Sequence, residues 1–232
     1  MQKKSVGQGN IKLSIIIPVL NSHEIVRRQI EHFEKMDLPD DVEIIIVDDG
    51  SDPPLEGEGV EIIATNDPRP WTQPKARNIG AAAASGEVLL FTDIDHIIDR
   101  AAIDFGRSFK YDYGRFYREL GGLNEYGDFT QDPYFLMGWG VPPEKAHGSL
   151  HIGCHVLSMY IRASVFGEVG NFREKLGSHP THDDGNMKKR LNRNGFVKCP
   201  DDERPKIYMM PNGRYSGSKD ANPHGYFHNL CR

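Results

Sequence analysis

Three short apolar runs, each followed by polar or acidic residues, constrain the fold of this chain more than any other sequence feature. They cover residues 13–19 before Asn21, residues 42–47 before Asp48 and Asp49, and residues 88–92 before Asp93 and Asp95. Runs this short, and this rich in β-branched and aliphatic residues, are typical of strands buried on both faces of a parallel sheet. The alternation of such runs with segments of helical spacing predicts an α/β fold with a mostly parallel central sheet flanked by helices.

Two helices are expected between these strands. Ser22 is a candidate N-cap of the first helix, which Pro39 closes. Thr72 is a candidate N-cap of the second, over residues 74–85, and Gly86 marks its C-terminal end. Both helices would connect parallel strands.

Acidic residues at the ends of the strands indicate a ligand site, because ligands of such sheets bind beyond the carboxyl ends of the strands. One residue separates Asp93 from Asp95, so an extended chain would point both carboxylates to the same side. Two close carboxylates raise each other's proton affinity unless a cation or a donor lies between them. A hard cation such as Mg²⁺ or Mn²⁺ would meet that need, whereas the alternative is a pair of solvated acids that ends the strand.

Basic residues beside this edge have two interpretations. Lys75 and Arg77 are natural partners for a diphosphate, or they form the exposed basic start of a helix. The chain has no G-x-G-x-x-G after a strand and no G-x-x-x-x-G-K-[ST], so a dinucleotide-binding motif and a P-loop are both excluded. Phosphate binding would therefore fall to a metal and basic side chains.

The second half of the sequence predicts fewer elements. Residues 121–143 are loop-rich, as in a mobile lid over a site. Residues 150–161 predict a strand, residues 162–169 a short helix and residues 182–194 a longer one. Asp183 and Asp184 would lie in the first turn of the longer helix, where the helix dipole favours anions.

Length and composition fit one large domain, or a domain with a small appendage, in the cytoplasm. The chain has 232 residues and a net charge of −5, which argues against a general nucleic-acid surface. Its three cysteines include no C-x-x-C pair and fit reduced thiols. We expect no membrane span, since no apolar run approaches the ~20 residues required, and no signal peptide, since the first ten residues lack an apolar core.

A series of motifs, taken in order, resembles those of the inverting glycosyltransferases of family 2, which have the GT-A fold. In the first half the motifs are SIIIPVLN at 14–21, VDDGS at 47–51, KARNIG at 75–80 and DID at 93–95. In the second half they are RASVFGEVGNF at 162–172 and the segment from Asp183-Asp184 through Arg190-Leu191 to Gly195-Phe196. The resemblance implies one GT-A domain over residues 1–232, with a nucleotide-sugar-binding half at 11–97. Residues 98–232 would form the acceptor-binding half with a C-terminal tail.

The resemblance also implies roles for individual residues around the donor, most often a UDP-sugar. The residues it places at the nucleotide sugar are Pro18, Val19, Asn21, Asp49, Lys75, Arg77 and Asp93. Among these, Asp49 would bind the base or ribose, and Arg77, with Lys75, would approach the nucleotide.

For the metal and the chemistry, the resemblance implies a second set of residues. Asp95 would bind Mn²⁺ or Mg²⁺ directly, and Asp93 would contact the metal or the ribose. A histidine of the tail, His228 in preference to His224, would be a further ligand. Asp184 would act as general base towards a carbohydrate or other hydroxyl acceptor; Asp183 stands where the family usually has Glu, so the choice between the two acids stays open.

The implied reaction is the metal-dependent transfer of a sugar to the acceptor, with inversion. One alternative is a nucleotidyltransferase acting on sugar phosphates, although the Gly-rich basic first loop of that class is missing. Another is a non-catalytic nucleotide- or sugar-binding module of the same fold, against which the intact Asp93, Asp95 and Asp184 speak.

Overall fold

A computed structural model of the chain describes residues 10–57, 60–69, 72–152, 158–174 and 181–211, with the backbone alone for 181–185. Its strands are β1 (Leu13–Val19), β2 (Val42–Asp48), β3 (Glu61–Ala64), β4 (Val88–Phe91), β5 (His96–Ile97), β6 (Tyr113–Arg115), β7 (Tyr117–Leu120), β8 (Gly122–Leu123), β9 (Phe129–Thr130), β10 (Met159–Arg162) and β11 (Lys206–Met209). Its helices are α1 (His23–Lys35), α2 (Gln73–Ala83), α3 (Arg100–Arg107), α4 (Pro133–Gly138), α5 (Pro143–Ala146), α6 (Ala163–Val169) and α7 (Thr181–Arg193).

The largest sheet has six strands in the order β3-β2-β1-β4-β10-β6. The first four are parallel to one another, and β10 runs antiparallel to both β4 and β6. This confirms the predicted α/β fold with a mostly parallel central sheet flanked by helices. The three apolar runs form the three adjacent strands β2, β1 and β4.

Both faces of the sheet are covered, which explains why its strands are apolar throughout. Successive side chains of a strand point to opposite faces. Ile15 and Ile17 of β1 belong to one core cluster with Ile25 and Phe33 of α1, whereas Ile16 belongs to a second cluster. No residue of β1 is exposed to solvent.

Helix α2 approaches the sheet very closely at Gly80. A Cβ atom at this position would come within 2.5 Å of the Cγ2 atom of Ile16, so only glycine fits without a shift of the helix. This contact positions the whole of α2, whose N-terminal residues lie near the carboxyl edge of the sheet.

One prediction for the second half was wrong, and another missed part of the structure. Strand β10 begins only at Met159, because residues 150 and 152 pair with β7 instead: Leu120 N–H donates to the Leu150 carbonyl, and Ile152 N–H donates to the Arg118 carbonyl. The segment 121–143 is loop-rich as predicted, but it also contains β8, β9 and α4 and is packed against the rest of the chain. Leu136 in this segment is fully buried.

A second sheet, in the order β5-β11-β7, begins directly after the acidic pair. His96 pairs with Met209, and Ile97 pairs with Tyr208, in antiparallel register. Among the described residues, no helix combines the length and apolar character needed to cross a lipid bilayer.

Candidate functional site

The carboxyl ends of β1, β2 and β4 lie at one edge of the large sheet. Val19 at the end of β1 pairs with Asp48 at the end of β2, and Thr92 N–H, directly after β4, donates to the Ile16 carbonyl of β1 at 3.1 Å. The polar residues that follow these strands are therefore gathered at one edge, as the sequence predicts.

A tight turn at residues 93–96, here called the metal turn, brings three possible metal ligands together. The turn is closed by a 3.0 Å hydrogen bond from His96 N–H to the Asp93 carbonyl. The expectation of an extended chain at Asp93 and Asp95 is thus wrong, but the two carboxylates do lie close together. One ligand atom each from Asp93, Asp95 and His96 lies within 4.8 Å of the other two.

His96 is held in place by polar groups on both sides of its ring. The ring is buried, and Nδ1 lies 3.1 Å from Thr92 Oγ1 and 3.2 Å from Ser158 Oγ and accepts from Asp93 N–H at 3.3 Å. Nε2 lies 4.0 Å from Asp95 Oδ1 and 3.4 Å from Arg118 Nη1. Metal-binding histidines commonly have one ring nitrogen bonded by the protein and the other on the metal.

The chemistry of these donors fits a divalent cation. Two carboxylates suit the hard ions Mg²⁺ and Mn²⁺, and imidazole is the commonest metal ligand of proteins. Sequence reasoning missed His96. Its position directly after Asp95 was the available signal, but only the turn reveals that its ring points back to the carboxylates.

Arg77 is buried beneath the metal turn and does not form an exposed basic start of α2. Its side chain is only 2% exposed, and Nη2 donates to Asp93 Oδ1 at 2.6 Å. The guanidinium also lies 5.6 Å from the ring centroid of Phe172. Gln73 Nε2 donates to the same Asp93 oxygen at 3.1 Å. Arg77 therefore fixes the Asp93 carboxylate from the protein side.

Lys75, the other predicted basic partner, is engaged by a neighbouring acid. Its Nζ atom lies 2.9 Å from Asp67 Oδ2, and Arg69 pairs with the same carboxylate. The hydrogen bonds from Arg69 and then Lys75 hold the pKa of Asp67 below its usual range.

The two acids at the end of β2 differ in their partners. Asp49 accepts a hydrogen bond from Thr72 N–H at 2.7 Å and another from the Thr72 hydroxyl, so Thr72 bonds β2 instead of capping its own helix. Burial raises the pKa of Asp49, although the Thr72 hydrogen bonds act in the opposite direction. Asp49 therefore joins the end of β2 to the start of α2.

Asp48 shapes the loop after β2. Burial acts to raise the pKa of Asp48, but hydrogen bonds from Leu55 and Ser51 outweigh it, and the pKa is lowered. The N–H groups of these two residues donate to Asp48 at 2.9 and 2.8 Å.

The remaining predicted donor residues lie at the end of β1. Pro18 and Val19 are buried within the strand. Asn21 has a left-handed backbone with φ of 51°, and its side-chain oxygen accepts from Asp52 N–H at 2.8 Å. Its own N–H donates to Ser51 Oγ at 2.9 Å, so Asn21 connects the loops that follow β1 and β2.

The predicted catalytic acids and tail histidines are only partly described. Asp183 and Asp184 fall within the first turn of α7, as expected, and nothing further is described of their side chains. His224 and His228 lie outside the described residues. The described chain ends just beyond Met210, whose N–H donates to the Asp95 carbonyl at 2.8 Å.

Comparison with known families accounts for this edge of the sheet. A family model described as "Glycosyl transferase family 2" matches residues 14–104, from β1 to α3. The matched residues, 14–104, are here called the family 2 region. This family 2 region contains Asp49, Arg77 and all three possible ligands of the metal turn. A comparison with curated protein sequences gave no match.

Solved structures of glycosyltransferases share the fold. TarS 1-349 of S. aureus aligns at 20% identity and a TM-score of 0.51, covering 86% of this chain and 60% of its own. The mannosyltransferase PcManGT from Pyrobaculum calidifontis, in complex with GDP-Man and Mn²⁺, aligns at 14% identity and a TM-score of 0.52, with coverages of 88% and 57%.

A complex of TarS 1-349 with UDP-GlcNAc gives 19% identity and a TM-score of 0.53, covering 86% of this chain and 58% of its own. The present chain thus spans less than two thirds of the length of each of these structures. At these identities the likeness establishes the fold of the chain, which is of the GT-A type.

Proposed function

We propose that this protein is a metal-dependent glycosyltransferase that moves a sugar from a nucleotide diphosphate sugar to an acceptor hydroxyl with inversion. The observation that carries the proposal is the convergence of Asp93, Asp95 and His96 within the family 2 region. The complexes of similar structures with UDP-GlcNAc and with GDP-Man and Mn²⁺ support a nucleotide sugar as donor, and we favour a UDP-sugar.

Asp93, Asp95 and His96 would hold Mn²⁺ or Mg²⁺ at the metal turn, with His228 of the tail as a further ligand. A bound divalent cation supplies positive charge where the departing diphosphate becomes negative. Arg77 keeps the Asp93 carboxylate in place through its 2.6 Å contact and offsets part of the negative charge of the turn.

The nucleotide would lie along the same edge, between the metal turn and the ends of β1 and β2. Pro18, Val19 and Asn21 would line the pocket, and Asp49 would bind the base or ribose. Thr72 already donates to both Asp49 oxygens, and carboxylate oxygens accept more than one hydrogen bond each. Asp49 is therefore oriented and still able to accept from a ligand.

Acceptor activation requires a carboxylate on a different element from the metal ligands. An acceptor hydroxyl is a poor nucleophile, so a base must remove its proton as it attacks the anomeric carbon. Asp184, or its neighbour Asp183, would take that proton. The first turn of α7 is a suitable place for a base, because a helix N-terminus favours the ionised carboxylate. Attack opposite the departing diphosphate inverts the anomeric centre.

The proposal is tested by incubating the protein with UDP-glucose, UDP-GlcNAc and GDP-mannose, with Mn²⁺ or with EDTA, and measuring nucleotide release. We expect one of the three donors to release its nucleotide, and to do so only when Mn²⁺ is present. The Asp95→Asn variant should lose this nucleotide release. Asp104→Asn is the control: this exposed acid of α3 also lies in the family 2 region and pairs with Arg100.

Other outcomes would overturn the proposal. Pyrophosphate formation from a sugar phosphate and a nucleoside triphosphate would favour the nucleotidyltransferase. Tight nucleotide-sugar binding without turnover, even with a panel of sugar acceptors, would favour the non-catalytic module. A cytoplasmic location and the division into a donor half at 11–97 and an acceptor half at 98–232 stay predictions.

A further inference from the structure

We infer that Gln29 of α1 is a positioning residue for the metal turn, an inference that rests on the proposed function. Gln29 is 1% exposed and lies in α1, the first helix of the chain, whereas Arg77 reaches the turn from α2. Its Nε2 atom donates to the Ile94 carbonyl at 3.1 Å and to the His96 carbonyl at 2.7 Å. These two carbonyls flank Asp95.

The amide orientation follows from its surroundings. Both atoms that Nε2 approaches are carbonyl oxygens, which accept hydrogen bonds and repel another oxygen, so the NH₂ group must face them. One NH₂ group thus holds the 94–95 peptide unit, which precedes Asp95, and the 96–97 peptide unit, which follows His96. It therefore restricts the direction in which the Asp95 and His96 side chains leave the backbone.

The backbone of the turn is otherwise held at its remaining carbonyls. His96 N–H donates to the Asp93 carbonyl at 3.0 Å, and Met210 N–H donates to the Asp95 carbonyl at 2.8 Å. Gln29 therefore supplies two of the hydrogen bonds that fix this four-residue segment. Both bonds connect the segment to α1. Without these two bonds, the carbonyls of Ile94 and His96 would be left without the donor that now orients them.

The same amide is a poor choice for packing alone. Its Oε1 atom is buried and accepts no hydrogen bond from the described residues. A buried acceptor without a partner costs free energy, so an apolar side chain of similar size would fill the site at lower cost. An apolar side chain could not donate the two hydrogen bonds that Gln29 Nε2 donates to the turn.

The consequence concerns metal affinity. Metal ligands bind well only when the groups behind them hold their orientation, and loss of such a supporting hydrogen bond typically weakens metal binding by about 10- to 100-fold. For Gln29→Met, which keeps the length of the side chain and removes both donors, we expect the Kd for Mn²⁺ to rise at least about tenfold.

The experiment measures Mn²⁺ binding to the full chain by electron paramagnetic resonance and by calorimetry, with thermal unfolding of each variant recorded alongside. Gln131→Met is the matched control, because Gln131 Nε2 also donates to a backbone carbonyl, that of Leu120 at 2.8 Å, which lies two strands from His96 in the second sheet and outside the metal turn. We expect Gln131→Met to bind Mn²⁺ like the wild type, whatever its thermal stability. A purely structural role for Gln29 would lower the unfolding temperature and leave the Mn²⁺ affinity of the folded protein unchanged.

A second variant keeps the test decisive if Gln29→Met does not fold. Gln29→Asn retains the amide but is one methylene shorter, so it cannot reach both carbonyls, and we expect a smaller loss of Mn²⁺ affinity. Wild-type Mn²⁺ affinity in a folded Gln29 variant would overturn this inference and leave the proposed function standing. Failure of the wild type to bind Mn²⁺ would instead overturn the proposed metal site, and this inference with it.

Discussion

At the scale of single residues, the pairing of Arg77 with Asp93 decides how the metal turn is built. A guanidinium that is 2% exposed needs a partner, because an unpaired buried charge is strongly unfavourable. Asp93 provides that partner with a side chain that is 19% exposed, so one carboxylate faces both the protein interior and the site. The sequence pattern predicted a basic residue near the nucleotide, but its burial depends on α2 lying against the sheet.

Arg77→Met should therefore be costly. It retains an unbranched side chain beside Phe172 but leaves Asp93 without its cation, and we expect the free energy of unfolding to fall by about 3 kcal/mol. The control is Arg107→Met, whose pair with Asp41 at 2.7 Å is more exposed and should cost less than about 1 kcal/mol. Urea unfolding of the two variants checks this. Equal losses in both would show that the buried Arg77–Asp93 pair contributes no more to stability than the more exposed Arg107–Asp41 pair.

At the scale of secondary-structure elements, the sequence predicts strands that are marked by a local pattern but not pairing between distant parts of the chain. The sequence predicts strands β1, β2 and β4 because their runs of β-branched and aliphatic residues end in polar residues. The sequence predicts an extended chain at residues 93–95 because a single residue separates Asp93 from Asp95. In the structure these residues turn, because they connect β4 of the large sheet to β5 of the second sheet. That sheet is completed by β11, more than 100 residues later in the chain, and no local pattern records the pairing.

Helix α1 contributes a second polar contact one turn beyond Gln29. His32 is buried, with Nδ1 3.2 Å from the Gly127 carbonyl and Nε2 3.2 Å from the Ile98 carbonyl. Burial lowers the pKa of His32, while the two carbonyls, and the charges of Asp99 and Asp128, act to raise it. This histidine joins α1 both to the chain after the metal turn and to the β8–β9 connection.

Acidification should consequently weaken the packing of α1. Since the pKa of His32 is lower in the folded state, the unfolded state binds more protons in the range between the two pKa values. Stability is then fully present above the unfolded pKa, about 6.5, and is lost as the pH falls from there towards the folded pKa.

We expect the free energy of unfolding to fall more steeply between pH 8 and pH 5 in the wild type than in His32→Gln. Chemical denaturation at a series of pH values measures both slopes. Parallel curves for the two proteins would contradict this role of His32, even if His32→Gln were less stable at every pH.

At the scale of the whole molecule, α2 links the two halves of the proposed enzyme. Arg77 reaches Asp93 at the metal turn, and its neighbour Asn78 forms a reciprocal pair with Phe172: the Asn78 amide donates to the Phe172 carbonyl and accepts from its N–H, both at 2.9 Å. Asn78 also donates to Glu174 at 2.8 Å. One helix turn thus holds a proposed metal ligand on one side and the chain that leads towards α7 on the other.

Because the proposed base and the proposed metal ligands lie on different elements, their substitutions should have separable effects. Asp184→Asn should lower sugar transfer by about 10²- to 10⁴-fold, the usual contribution of a general base, and leave Mn²⁺-dependent nucleotide binding close to that of the wild type. Asp183→Asn, measured in parallel, identifies which of the two acids is the base. Asp95→Asn should lose the Mn²⁺-dependent binding itself.

Calorimetric titration with UDP, with and without Mn²⁺, and a transfer assay with the donor that shows turnover distinguish these variants. If Asp184→Asn lost nucleotide binding as Asp95→Asn does, the first turn of α7 would belong to the donor site, and the base would have to be sought elsewhere. If it retained full transfer, proton removal from the acceptor would not depend on this residue. Only loss of transfer with retained binding fits a donor edge built by β1, β2 and β4 and a separate acid on α7 that acts on the acceptor.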